Sequence, residues 1–481
     1  MSVPLKYILF TGATGLLGEY LLRNGLRDGL RYAVIVRPTR LESARSRIES
    51  MLARCEKTLG VPLPRPVVLE GNLSEPYCGL SKENRQWVKQ HCRAVLHNAA
   101  SLIFYTDEKG EPYKSNVDGT RIVLDFAESS GIRKFFHVST AYIAGLRTGT
   151  CFENELDVGQ EFGNDYEKSK VAAEEMVRSA AFLDSLTVFR PAIIIGDSQT
   201  AYTSTYHGFY TPLKVVHALL PPENIEQIDG SPLLWCLGFS GSEAKNFVPV
   251  DWVATVMNIV ILNEKMHGET YHLVPRSRVT VRDMMHVFEE ALKTFFRHKP
   301  KKKTKPIIGT ENMLETFSSQ MQVYQSYWKN DPVFDYSNVE RVVPCYPCPT
   351  VDVDMLYKMS MFALETAFGY PKRPPVVPPL DLDTFFRGRS SLQVLPTTLF
   401  ALQVNGQGGG QWTLSANGIT EGLPVVPCPL IYMNSATFCR IKEKTLSVSD
   451  AVRCGAVAVQ TVAEANVPTL PQIEKILHHI L

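Results

Sequence analysis

Residues 11–18 read Thr-Gly-Ala-Thr-Gly-Leu-Leu-Gly, directly after the apolar run Tyr7–Phe10 and at the head of an amphipathic stretch. A strand, a glycine-rich turn and a helix in that order leave few folds open. Gly12 permits the tight turn, Gly15 lets backbone N–H groups approach a pyrophosphate, and Gly18 lets the helix pack closely on the strand. With Thr14, Leu16 and Leu17 beside the glycines, this loop is the expected dinucleotide cradle. The next strand ends in Val34-Ile35-Val36-Arg37. A carboxylate here would bind a ribose 2′-hydroxyl, whereas a 2′-phosphate needs cations. Arg37, with Arg40 or Arg47, therefore points to NADP(H).

The first half of the chain alternates β-branched runs with helical patterns, as a doubly wound α/β fold with a parallel sheet requires. Strands are expected at Tyr7–Phe10, Ala33–Val36, Val67–Glu70, Ala94–His97, Lys134–Ser139 and Thr187–Arg190. Helices are expected between them, at Leu16–Asp28, Glu42–Leu59, Lys82–Gln90, Val117–Ser130 and Tyr166–Ser179. The Rossmann part should run to about residue 196 and a smaller substrate-binding region over 197–370. Five prolines in Tyr370–Pro379 predict a semi-rigid linker over 371–380. An α+β module is expected from 381 to 481.

Tyr166 and Lys170 form Y-x-x-x-K on a predicted helix, a spacing that puts phenol and ammonium on one face. A nearby cation is expected to lower the phenol's pKa, so that Tyr166 can protonate a forming alkoxide. Thr140, at a strand end one unit earlier, is the expected carbonyl partner, with Ser139 competing for that role. The segment Thr203–Tyr210 either lines a substrate pocket or faces the core. His97 reads as a packed strand-end residue.

The chain carries 50 basic and 49 acidic residues. That balance gives no basic excess to neutralise phosphates, which argues against nucleic acid as a partner. The run at 299–305 (KPKKKTK) reads as a solvated loop. Cys345 and Cys348 form a lone C-x-x-C among prolines, so no metal is expected. Ten scattered cysteines and a start without a signal-peptide pattern predict a cytoplasmic protein. No segment predicts a membrane span, and self-association is left open.

Together, TGATGLLG, VRP, GNL, HNAA, NVDGT, HVSTAY, YEKSK and RPAIIIGDS, then VPVDWVA, resemble the thioester-reductase and fatty-acyl-reductase (male-sterility-type) branch of the extended short-chain dehydrogenases. The resemblance runs from about Lys6 to Val274. It implies Thr140, Tyr166 and Lys170 as the catalytic set, with Lys170 also holding the nicotinamide ribose. It implies Asn72-Leu73 and Ala99-Ala100 on the adenosine side, Asn116 in the helix beneath the site, and Pro191 beside the nicotinamide. Asn72 stands where the family has Asp, which removes a charge from that contact. The segments ALQVNGQGGGQWTL and NSATF, with the closing helix, resemble sterol-carrier-type lipid-binding domains. The implied activity is NADPH-dependent reduction of a fatty-acyl thioester or its aldehyde. Alternatives are oxidation or reduction of a sterol-like lipid by the same triad, and a silent NADP-binding sensor or lipid carrier.

Overall fold

The computed structural model describes residues 6–219, 239–297, 317–327, 329–370, 378, 380–387, 399–426, 428–460 and 469–480. The basic run at 299–305 lies outside the described residues, as does most of the proline-rich segment.

Seven parallel strands form the main sheet: β1 (Tyr7–Thr11), β2 (Tyr32–Val36), β3 (Val67–Glu70), β4 (Cys92–His97), β5 (Lys134–Val138), β6 (Ser185–Pro191) and β7 (Thr270–Leu273). Their order is β7-β6-β5-β4-β1-β2-β3, which is the doubly wound arrangement expected. β1 and β2 are buried at every position, because helices cover both faces. On one face Phe10, Leu21, Ile48 and Trp252 share a core; on the other, Leu9, Val95, Val123 and Phe135 share a second. The helices are α1 (Leu16–Arg27), α2 (Ala44–Leu59), α3 (Lys82–His91), α4 (Gly119–Ser129) and α5 (Asp165–Arg178). A single π turn at Lys114–Asp118 leads into α4.

The chain does not leave this sheet at residue 196. Val250–Leu262 forms a helix whose Trp252, Val253 and Val256 lie in the same core as α1. Thr270–Leu273 then pairs in parallel with Val188–Pro191 as the seventh strand. Only pairing between distant segments could reveal this strand, since four residues carry too little periodicity. Described residues between Ile195 and Phe368 also build a lobe around Phe209, Leu213, Phe288, Leu292 and Leu356.

The C-terminal residues form a five-stranded mixed sheet from β8 (Phe400–Asn405), β9 (Gly410–Ser415), β10 (Gly418–Glu421), β11 (Leu430–Asn434) and β12 (Val457–Gln460), in the order β10-β9-β8-β11-β12. Helices at 382–387, 435–442, 448–453 and 470–480 accompany it. Its interior is filled by Phe386 against Trp412 at 4.6 Å, with Phe438, Leu402 and Ile476 around them. This module is docked on the Rossmann part. The Tyr7 hydroxyl donates to Gln411 and accepts from the Leu423 N–H, and Trp87 Nε1 donates to the Glu421 carbonyl at 2.9 Å.

Candidate active site

The glycine turn is built as its sequence suggests. Gly12 has φ +76°, and a Cβ there would lie 2.6 Å from the Ala99 nitrogen. A Cβ on Gly18 would lie 2.1 Å from the Gly12 carbonyl oxygen. These two glycines let strand, turn and helix meet. Gly15 differs, because a Cβ on it would meet only that same carbonyl oxygen, at 3.6 Å. Its backbone is open to the cleft and caps the N-terminus of α1, where unpaired N–H groups favour an anion. The turn therefore fits a dinucleotide pyrophosphate.

A single cavity of about 990 Å³ runs from this turn across the ends of the strands. Gly12, Thr14, Gly15, Leu16, Leu17, Arg37, Arg47, Asn72, Leu73, Ala99, Ala100, Thr140, Tyr166, Lys170 and Pro191 all line it. Gly18 and Asn116 do not. Gly18 packs behind the turn, and Asn116 works behind the wall. Asn116 accepts from the Ser101 N–H at 2.7 Å and donates to the Ser169 hydroxyl at 2.9 Å, which ties the π turn to α5.

At the end of the cavity beside the glycine turn, Arg47 donates to the Thr14 hydroxyl at 3.0 Å and to the Arg37 carbonyl. Arg40 is exposed and is not part of the lining. The described lining residues include four cations, Arg37, Arg47, Lys170 and Lys245, and no carboxylate. Lys245 is already paired, with Asp331 at 3.1 Å. Both polar atoms of the Asn72 side chain serve its own turn: Nδ2 donates to Glu75 and Oδ1 accepts from the Ser74 N–H.

Thr140, Tyr166 and Lys170 come together at the middle of the cavity. Asn164 caps α5 by accepting from the Glu167 N–H at 3.0 Å, so Tyr166 and Lys170 fall one turn apart on its inner face. The Thr140 hydroxyl donates to the Pro191 carbonyl at 3.4 Å and accepts from the Tyr142 N–H at 3.2 Å, close enough to the Tyr166 phenol to act on its pKa, while Ser139 lies beside Glu174 and acts on that carboxylate. Both residues line the cavity, and nearness to the phenol favours Thr140 of the two.

The expected lowering of the phenol's pKa is not met. Burial pushes Tyr166 up to about 12, and the Thr140 hydroxyl opposes the rise only partly. Lys170 instead gives up basicity: burial lowers it to about 8, with Glu174 pulling the other way. Both groups are enclosed, and for each the cost of removing a charge from water is the largest effect.

His97 is a structural residue. Thr120 donates its hydroxyl to the Asn116 carbonyl at 2.6 Å, so His97 Nε2 must donate to Thr120 at 3.0 Å. His97 Nδ1 then accepts from Thr11 at 2.8 Å. Burial and then Lys170 lower its pKa to about 3, which keeps the ring neutral.

Past Tyr166 the cavity turns apolar. The segment 203–210 divides between the two expectations: Thr205, His207, Gly208 and Phe209 line the cavity, whereas the Tyr210 hydroxyl accepts from the Gly196 N–H inside the core. Sequence reading missed the opposite wall, made by Met284, Met285, Phe288, Phe317 and Met321. The strong apolar stripe of the helix Val281–Arg297 was the available signal, but a stripe alone does not distinguish a cavity wall from a packed core.

Cys345 and Cys348 are both free thiols. Among the described residues no cluster of His, Cys, Asp or Glu could hold a metal, and no helix is long and apolar enough to cross a membrane.

Fold and cleft together define a dinucleotide-binding oxidoreductase of the Rossmann type. The family described as male sterility protein matches residues 10–257, more than half of the chain, and the chain belongs to that family. Among curated proteins it is similar to aldehyde reductase lnaA of Aspergillus flavus, 25% identical over 391 residues, which cover 73% of this chain and 35% of that protein. It is also similar to fatty acyl-CoA reductase wat of Drosophila melanogaster, 25% identical over 245 residues, which cover 44% of this chain and 47% of that protein. The chain thus spans less than half the length of either relative. Among solved structures, the terminal R domain of the myxalamid PKS-NRPS biosynthetic pathway superposes with a TM-score of 0.59 at 24% identity, over 76% of this chain and 92% of that one. The reductase (R) domain of a nonribosomal peptide synthetase from Mycobacterium tuberculosis gives 0.52 at 20% identity, over 76% and 93%. These two likenesses bear on the fold.

Proposed function

We propose that this chain uses NADPH to reduce an apolar acyl thioester, or the aldehyde derived from it. The observation that carries this reading is one continuous cavity. The glycine turn opens one end, Thr140, Tyr166 and Lys170 meet in the middle, and Phe209, Phe288 and Met321 close the other. The names of the relatives, an aldehyde reductase and a fatty acyl-CoA reductase, agree with it. Arg37 and Arg47, with no carboxylate among the described lining residues, favour NADPH over NADH.

When bound, the reduced nicotinamide supplies a hydride to the carbonyl carbon. Thr140 holds the carbonyl oxygen. Tyr166, which burial keeps protonated, gives its proton to that oxygen as charge gathers there. Lys170 holds the nicotinamide ribose and keeps positive charge nearby. Phe209, Met284, Phe288 and Met321 exclude water from the substrate's apolar part.

The C-terminal module has a mixed sheet and helices in common with the expected lipid-carrier type. Its packed aromatic interior favours a structural module over an acyl tunnel, and titration with a fluorescent fatty acid tests this. For the reductase reading, the deciding assay is NADPH oxidation against acyl-CoAs, free aldehydes and sterol ketones. Turnover of thioesters or aldehydes supports it, and turnover of ketones alone moves the assignment to a lipid dehydrogenase.

A further inference from the structure

Helix α2 joins two parts of the molecule. Residues four apart on a helix share a face, while a residue midway between them points nearly the opposite way. Arg45 and Glu49 therefore face one side and Arg47 the other. Arg45 donates to the Gly409 carbonyl at 3.1 Å, and its guanidinium lies 3.5 Å from Asp383 and 3.7 Å from Glu421. Glu49 accepts from the Gly408 N–H at 3.2 Å and from Arg65 at 3.0 Å. Apart from Arg65, every one of these partners belongs to the C-terminal module. Across the helix, Arg47 reaches Thr14 and the Arg37 carbonyl inside the cavity.

The start of α2 is also held by Ser43, which caps it by accepting from the Ser46 N–H at 3.1 Å, and by the buried side chains of Ala44 and Ile48, but the segment before it is neither helix nor strand. The preceding segment, residues 37–43, is largely exposed, and Leu41 keeps 90% of its surface in water. Such a helix start opens readily unless its side chains are anchored. A long arginine that must order itself on a phosphate binds more weakly than one already ordered.

We propose that the C-terminal module positions Arg47: by gripping Arg45 and Glu49 it fixes the first turns of α2 and so sets the affinity for the nucleotide's 2′-phosphate. This inference rests on the NADPH reading above. It gives the module a task that needs no lipid tunnel. Arg45 and Glu49 are positioning residues here, because neither lines the cavity.

The test uses the full chain, with Arg45→Met, the milder Asp383→Asn on the module's side, and Arg47→Met as reference. Dissociation constants for NADPH and NADH are measured alongside hydrogen exchange of the α2 amides. Arg45→Met and Asp383→Asn are expected to weaken NADPH binding by about tenfold, the range of a modest coupling between sites. They should leave NADH within about twofold, well inside that coupling, and speed exchange in the first turns of α2. A folded variant with the wild-type NADPH-to-NADH ratio overturns the proposal, whatever its exchange rate. A wild-type protein with no preference between the nucleotides sinks the cofactor reading instead. Exchange then decides the mechanical claim alone: unchanged protection of α2 in both variants overturns it, and faster exchange upholds it.

Discussion

The Lys170 ammonium donates to the Val138 carbonyl at 2.8 Å, tying the helix that carries Tyr166 to the strand that leads into Thr140. Glu174, one further turn along α5, is completely buried and paired with Arg190 at 2.6 Å and Arg178 at 2.8 Å. Arg190 precedes Pro191, whose carbonyl accepts from Thr140 at 3.4 Å. The proposed reacting groups thus hang from one buried ionic node.

Replacing Tyr166 with Phe removes the proposed proton donor without changing the shape of the site. The expected result is a fall in kcat of about 10²- to 10⁴-fold, the usual worth of a general acid. Nucleotide affinity should stay near wild type. Steady-state kinetics and a nucleotide titration check both halves; unchanged kcat would remove Tyr166 from the chemistry.

Glu174→Gln keeps the shape and removes the charge that holds Lys170 up. The Lys170 pKa, already lowered to about 8, should drop by about one unit, as loss of a close opposite charge predicts. The alkaline limb of the pH–rate profile should move down with it. Because two arginines lose a buried partner, stability should also fall by about 3 kcal/mol. A stability loss with an unmoved limb would make Glu174 purely structural.

The glycine turn offers a contrast. Gly18→Ala drives a methyl to 2.1 Å from the Gly12 carbonyl oxygen, so the strand and helix must part, and the melting temperature should fall. Gly15→Ala meets only that oxygen at 3.6 Å, so the fold should hold while dinucleotide binding weakens. Thermal melts and a nucleotide titration on both variants separate the effects. Equal binding by Gly15→Ala and wild type would argue against a pyrophosphate at this turn.

Glu421 lies where the C-terminal module docks, and burial followed by Asp383 pushes its pKa up to about 7. The unfolded chain releases this proton near the ordinary carboxylate value, whereas the folded chain keeps it longer. Stability from this group therefore falls as pH rises from about 4.5 to about 7 and levels off above that. Glu421→Gln should flatten that slope and gain about 1–2 kcal/mol at pH 8, allowing for partial solvent screening. Denaturant melts at a series of pH values measure it; an unchanged slope would assign the effect elsewhere.

Local chemistry alone settled much of the molecule. Apolar runs fit only strands buried on both faces, and the spacing of three glycines fits only a strand that turns sharply into a helix. These are short-range requirements, and six of the seven strands and five helices follow from them within a few residues. Tyr166 and Lys170 were legible for the same reason, since a four-residue spacing fixes a shared helical face.

Tertiary structure decided whatever depends on residues distant in the chain. Thr270–Leu273 becomes a strand only because Val188–Pro191 offers it a ladder. Thr140 and Ser139 both line the cavity, yet Thr140 acts on the phenol while Ser139 acts on Glu174. Enclosure by the whole fold raises Tyr166 where the adjacent lysine alone predicted a fall. Arg45 and Arg47 look alike in the sequence, and only the docking of the C-terminal module sends one to a structural clamp and leaves the other in the cavity. Burial and charge pairing are properties of the assembled fold, so no stretch of the chain encodes them by itself.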